Sequence, residues 1–206
     1  MNEKSLKPRI RFKGFTEAWE QRKLKDESIY IVAGGDVDKT ILKSKGNYPV
    51  YANALTDDGI VGFYDNSYRI EAPAVTVTGR GEVGHAVARK TNFTPVVRLL
   101  TVKTNHDVNF LSNAINRKGF VVESTGVPQL TVPKLEELEI LYPLKPNEEL
   151  EIGKLFINLD NLITLHQREQ ESVSIVLFSK VLIMISLPSR HLYFLILELY
   201  VSMSSL

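Results

Sequence analysis

The 206-residue sequence contains no cysteine. That excludes a disulfide framework and cysteine-based zinc sites, and it fits a reducing compartment, so a cytoplasmic location is expected. A domain of this size needs no such staple, because roughly 150 residues bury about 70% of the surface their unfolded chain exposes. The N-terminal stretch MNEKSLKPRIRFKG has no apolar run, so no secretory signal is expected. Catalytic signatures are missing too. His85, His106, His166 and His191 show no H-E-x-x-H or other metal-ligand spacing. No G-x-S-x-G supplies a nucleophile elbow. No loop of the N/D-P-P-Y/F type marks an adenine methyltransferase. The expectation is a non-catalytic chain that binds no metal and no cofactor of its own.

One glycine pattern needs a physical decision. Gly79, Gly81 and Gly84 form a literal G-x-G-x-x-G after an alternating run, Ala74–Thr78. A dinucleotide site must also open a helix there, because the pyrophosphate rests on that helix N-terminus. The residues that follow, HAVARK, alternate like a strand instead. A glycine-rich β-turn permitting close backbone approach is the better reading, and a nucleotide-dependent enzyme is the rejected rival.

What is present organises the chain. The net charge of +1 is unevenly spread. Residues 1–25 and 66–118 each carry eight Lys or Arg against three acids, and residues 119–151 carry two against seven. This suggests one face for a polyanion and another for protein. Phe15 and Trp19 share a face at helical spacing and Thr16 can cap the turn, which predicts a short docked helix. Short β-rich runs follow at Tyr30–Ala33, Tyr48–Tyr51, Ile60–Tyr64, Ala74–Thr78, His85–Arg89 and Val97–Val102, bounded by Gly, Asn, Asp and Pro. Val108–Phe120 returns to helical spacing, with Gly119 as its stop. A turn and Pro-bounded segment, Gly126 to Pro133, precedes a short apolar run, Glu139 to Pro143. The coarse fold is α+β: a mixed sheet with helices at both ends. A long helix then starts at Asn147, a good N-cap, with Glu148, Glu149 and Glu151 where the helix dipole favours negative charge. Ile152, Leu155, Leu159 and Leu162 recur at steps of three and four, an a/d seam suited to packing on another helix.

The succession TGVPQLTVPKLEELEILYPL, NEELEIGKLF, INLDNLITLHQRE resembles the end of a recognition domain and the spacer helix of a type I restriction–modification specificity subunit. PRIRFKGFTEAWEQRKLKD is similar to the start of that family. The resemblance runs from about Lys7 to Gln170. It implies a DNA target-recognition domain at 1–145 and a spacer helix at 146–171, of coiled-coil type. It implies double-stranded DNA as ligand, modification and restriction subunits as partners, and adenine methylation and restriction carried out by them. S-adenosylmethionine, ATP and magnesium are then expected on those partners. Self-association through the helix seam would let one such domain read a two-part site.

Within that reading, DNA contacts call for Lys, Arg, Asn, Gln and small hydroxyls on exposed turns. The candidates are Lys39, Lys43, Lys45 and Tyr48; Asn53 and Thr56; Arg80, flanked by glycines; Arg89 and Lys90; Arg117 and Lys118; and Gln129. The tail, residues 172–206, departs from the family. It is apolar, with Lys180, Arg190 and Glu198 interrupting runs too short to span a membrane, and Pro188 breaking any helix. No membrane association is expected. The tail is expected to be an out-of-frame or otherwise altered end that shortens the spacer helix, and a non-functional remnant is the alternative.

Overall fold

The computed structural model describes residues 7–120 and 129–186, with side chains through residue 174. It divides into two compact units, residues 1–157 and 158–206.

In the first unit, β1 (Glu20–Lys23) leads through a 3-10 turn (Leu24–Glu27) into β2 (Ser28–Ala33). Then come β3 (Tyr48–Tyr51), a 3-10 turn at Thr56–Gly59, β4 (Ile60–Tyr64), β5 (Ala74–Thr78), β6 (Ala86–Arg89), β7 (Thr94–Pro95) and β8 (Leu99–Thr104). Helix α1 (Val108–Lys118), a short α2 (Val132–Glu136) and β9 (Glu139–Tyr142) follow, and α3 (Pro146–Ser186) begins in this unit. The described strands form three sheets: β2-β8-β5-β6, β4-β3-β7 and β1-β9. The α+β expectation therefore holds.

Several differences from the sequence reading have physical causes. Residues 15–19 form no helix. Trp19 instead packs edge-on against Phe110, ring centroids 6.1 Å apart, and the following residues pair as β1 with β9, Glu20 opposite Tyr142. This long-range pairing outweighs a one-turn helical tendency. Strand β8 starts at Leu99, not Val97, because Leu99 donates to the carbonyl of Val96 at 3.0 Å and closes a turn. α2 was not anticipated; its Pro133 sits in the first turn, where a missing N–H costs nothing. α3 starts at Pro146, and Glu148 N–H donates to the carbonyl of Lys145, so Asn147 lies inside the helix. α3 also runs past the anticipated end at 171 as far as Ser186. The expected turn at residues 126–128 and tail residues 187–206 lie outside the described residues.

The main core joins Val75, Val77, Leu100 and Val102 of the central strands to Phe110, Leu111 and Ile115 of α1, with Leu24, Leu135, Ile140 and Tyr142 closing it. Each such side chain contributes about 2 kcal/mol by leaving water. Asp107 caps α1 by accepting from Phe110 N–H at 2.8 Å, and Gly119, at φ +63°, ends it. The first turns of α3 dock against the N-terminal end of α1. A Cβ on Gly153 would lie 2.2 Å from Asp107 Oδ1, so only glycine permits the approach.

The start of α3 is tied down by charge as well. Glu148 and Glu149 are buried. Arg11 grips Glu148 with a two-pronged contact of 2.8 and 2.6 Å. Glu149 contacts His106 Nδ1 at 2.9 Å, and His106 Nε2 reaches Glu27 at 2.8 Å. The hydrogen bond to Glu149 raises the His106 pKa above its ordinary 6.5; burial opposes this, and the bond to Glu27 reinforces it.

In the second unit α3 carries Leu159, Leu162, Ile163, Leu165 and Val173, all exposed.

Candidate nucleic-acid interface

Both neighbours of β8 run antiparallel to it, and Ala33 and Val77 are each registered with Leu100. β2 and β5 therefore finish at the same end of the sheet, where β6 and β8 begin. That end gathers the glycine turn, the turn at residues 96–99, and Gln129. Arg80 and Gln129 form an isolated antiparallel bridge, and Leu130 N–H donates to the carbonyl of Gly79 at 3.0 Å. Asn53 braces the cluster: its amide oxygen accepts from Gly79 N–H at 2.8 Å, and its Nδ2 donates to the carbonyl of Val97 at 3.1 Å.

The glycine turn behaves as its composition predicts. Gly81 and Gly84 have φ of +69° and +90°, and the chain re-enters the sheet as β6 rather than opening a helix. The dinucleotide reading is excluded by that strand. The C-terminal turn of α1 lies beside it. Asn116 reads both backbone groups of Ala86, at 2.7 and 2.9 Å, which places exposed Arg117 and Lys118 near this same end. Arg80, Arg98, Arg117 and Lys118 thus lie in or beside these turns, together with Glu82 of the glycine turn and Asp36 just beyond β2, so the end offers several cations to a polyanion.

Other candidates lie elsewhere. Lys39, Lys43 and Lys45 are exposed on the connection between β2 and β3. Lys43 exchanges backbone hydrogen bonds with Phe63, and its ammonium pairs with Asp65. Tyr48 is half-buried against Tyr68, ring centroids 4.9 Å apart. Thr56 is exposed in its 3-10 turn. Lys90 is exposed at the far end of β6 from the glycine turn.

Arg89 differs from the other candidates in being buried. Only 6% of it is exposed, and its guanidinium makes three hydrogen bonds. It contacts Asp58 Oδ2 at 2.6 Å, the carbonyl of Asp58 at 3.1 Å and Thr76 Oγ1 at 3.0 Å, and it stacks 3.7 Å from the centre of the Tyr51 ring. Such a side chain joins the small sheet to the large one, and its burial keeps it away from a DNA surface. Sequence reading missed Arg98, whose Nη1 donates to Gln129 Oε1 at 3.4 Å and whose φ is +69°. No local feature announced it, since Val-Val-Arg-Leu-Leu reads as plain strand.

Residues 16–174 match the family described as the type I restriction modification DNA specificity domain. The chain belongs to that family. It is 30% identical over 140 residues to a Mycoplasma pneumoniae protein named as a type I specificity subunit; the match covers 65% of this chain and 38% of that protein. The chain thus spans well under half the length of this curated relative. Its fold is shared with the S subunit of the type I restriction–modification system from M. genitalium, at a TM-score of 0.57 and 18% identity, over 82% of this chain and 47% of that one. A chain from a structural study of assembly and conformational transition in the type I system agrees at a TM-score of 0.62 and 15% identity, over 78% of this chain and 43% of that chain. The helix from Pro146 onward fits the spacer helix of that architecture. No helix among the described residues is long and apolar enough to cross a membrane.

Proposed function

We propose that this chain recognises a DNA sequence for a type I restriction–modification complex and directs methylation and restriction performed by partner subunits. The observation that carries the reading is the family match, which runs unbroken from the N-terminal strand through the start of α3 into its exposed turns. The sheet end that gathers Arg80, Arg98, Arg117 and Lys118 supplies the DNA-facing surface. The later turns of α3 supply a docking surface for protein, because Leu155, Leu159 and Leu162 recur along it and are exposed. That stripe suits a second copy of the helix, which would bring two recognition domains to a two-part site. S-adenosylmethionine, ATP and magnesium belong to the partners in this reading.

Purified alone, the full chain should neither methylate nor cut DNA. Mixed with a type I modification subunit encoded beside it, it should confer methylation at one defined sequence. Methylation by the isolated chain, or methylation by the mixture without sequence preference, would overturn the proposal.

A further inference from the structure

We propose that Arg98 reads a guanine in the target sequence, with Gln129 as its positioning residue; the inference rests on the DNA-recognition reading above. The starting point is backbone strain. Arg98 holds φ +69°, and among the described residues the other non-glycine positions with positive φ are Asp57 and Asp58, a residue type that tolerates this region. Arginine does not, and strain of this kind persists only where the surroundings over-determine it.

The surroundings here are entirely backbone-directed. Leu99 N–H donates to Val96 O at 3.0 Å, Arg98 N–H to Gly34 O at 3.4 Å, and Val97 O accepts from Asn53 at 3.1 Å. Gly79 lies so close that a Cβ on it would be 2.3 Å from Arg98 O. None of these contacts uses the Arg98 side chain. For folding alone, glycine would serve position 98 better. The arginine must therefore be explained by what its guanidinium does.

That guanidinium sits at the sheet end beside the glycine turn, and its hydrogen bond goes to a neutral amide, Gln129 Oε1. Among the described residues it has no carboxylate partner. Arg89 makes the contrast, buried and with its charge paired to Asp58. Arg98 keeps its charge and most of its donors. Gln129 is itself fixed by the bridge to Arg80, so the contact restricts the planar fork. A fixed fork matches the O6 and N7 acceptors of guanine in the major groove, the commonest specific arginine contact.

The test is selection from a randomised duplex library by the full chain, alone and mixed with its modification subunit, beside Arg98→Gly, Arg98→Lys and Gln129→Ala. Glycine adopts the left-handed backbone freely, so Arg98→Gly should melt within about 3 °C of the unaltered chain. It should lose preference at one G·C pair, by roughly tenfold or more, while other positions of the site stay as before. Arg98→Lys should recover only part of that preference, because an ammonium lacks the fork. Gln129→Ala should weaken it at the same base pair. Unchanged preference in Arg98→Gly overturns the inference, as does uniform weakening on all sequences, which would mark a phosphate contact. A melting drop of about 10 °C or more would assign Arg98 a structural role and overturn it equally. Failure of the unaltered chain to enrich any sequence in either setting would overturn the recognition reading itself, a distinct result.

Discussion

The opening turns of α3 and the turns that follow them are one helix with opposite arrangements. At its start the charged residues are buried and the fold consumes them: Glu148 by Arg11, Glu149 by His106. Later, the apolar residues are exposed, with Leu159 at 42% and Leu162 at 61%. Hydrophobic burial alone would dictate the reverse. The difference teaches that the start is an anchor built from pairs, and that the later stripe is kept for something other than the chain's own core. The same division separates Arg89 from Arg98, and Lys43 from Lys45.

The largest expected effect comes from breaking the anchor. Arg11→Ala would leave the Glu148 carboxylate buried without its partner. Removing one member of a buried pair typically costs about 3–5 kcal/mol. The Arg11 side chain is 11% exposed, so the lower value is expected. For a domain of this size that is a fall of roughly 6–12 °C in melting temperature, measurable by circular dichroism. A change under about 1 °C would show that the pair does not hold α3 in place.

Next is the stripe. Leu159→Glu leaves helix propensity nearly unaltered and places a charge in an apolar seam. It should leave the melting temperature of the recognition domain within about 2 °C and weaken self-association or docking at least about tenfold, read by light scattering. A large melting drop with association unchanged would reverse the comparison and remove the spacer-helix role.

These two predictions also show what was legible in the sequence. The stripe was visible because it is periodic, and periodicity survives without knowledge of partners. The strands at Tyr48–Tyr51, Ile60–Tyr64 and Ala74–Thr78, and helix α1 with its glycine stop, were visible for the same reason. The anchor was half visible. Glu148 and Glu149 read as charges favoured by the helix dipole, yet their burial depends on Arg11 and His106, 137 and 43 residues away. Arg89 and Arg98 read alike as basic residues in strands. Only the fold decides that one faces Asp58 across two sheets and the other closes a turn. Gly153 was passed over, because its reason is a neighbour, Asp107, rather than its own helix.

A smaller effect is pH dependence at the anchor. His106 is faced by Glu149 from α3 and by Glu27 from the 3-10 turn, with Arg22 also on Glu27 and the Tyr142 ring 4.5 Å away. Its pKa is raised above 6.5, first by the bond to Glu149. Below pH 6.5 this stabilisation is fully present, and it is lost as pH rises through the folded-state value. Burial pushes Glu27 up, but bonds from His106 and Arg22 outweigh it and leave its carboxyl below its ordinary value of 4.5. That contribution is present above pH 4.5 and lost as pH falls through the folded-state value. Stability from this cluster should thus be greatest between about pH 4.5 and 6.5. Between pH 6 and 9 the unaltered chain should lose roughly 2–4 °C more than His106→Gln, corresponding to about 1 kcal/mol. Parallel melting curves for the two proteins would show that His106 stays neutral in the anchor.

The smallest effect separates Lys43 from Lys45. Both are exposed on the β2–β3 connection, but Lys43 shares its charge with Asp65, whereas Lys45 has no ion pair among the described residues. A lysine that neutralises a phosphate releases condensed counterions, and each such contact steepens the salt dependence by about 0.9 in log–log slope. Lys45→Ala should therefore flatten the slope by close to that amount and weaken binding to all duplexes by a similar factor, with no change in preferred sequence. Lys43→Ala removes a charge that Asp65 already offsets, and it frees the carboxylate to repel phosphate. Its loss of affinity should be comparable, yet Asp65→Asn should tighten binding in the unaltered background, because it releases the Lys43 ammonium. Filter binding across a salt series on cognate and scrambled duplexes reads all three variants. If Asp65→Asn leaves affinity unchanged while Lys45→Ala still flattens the slope, the Lys43 side chain lies off the DNA path and Lys45 alone marks it. If neither lysine changes the slope, the connection between β2 and β3 faces away from DNA, and the sheet end at Arg80 and Arg98 must supply the phosphate contacts as well as the base readers.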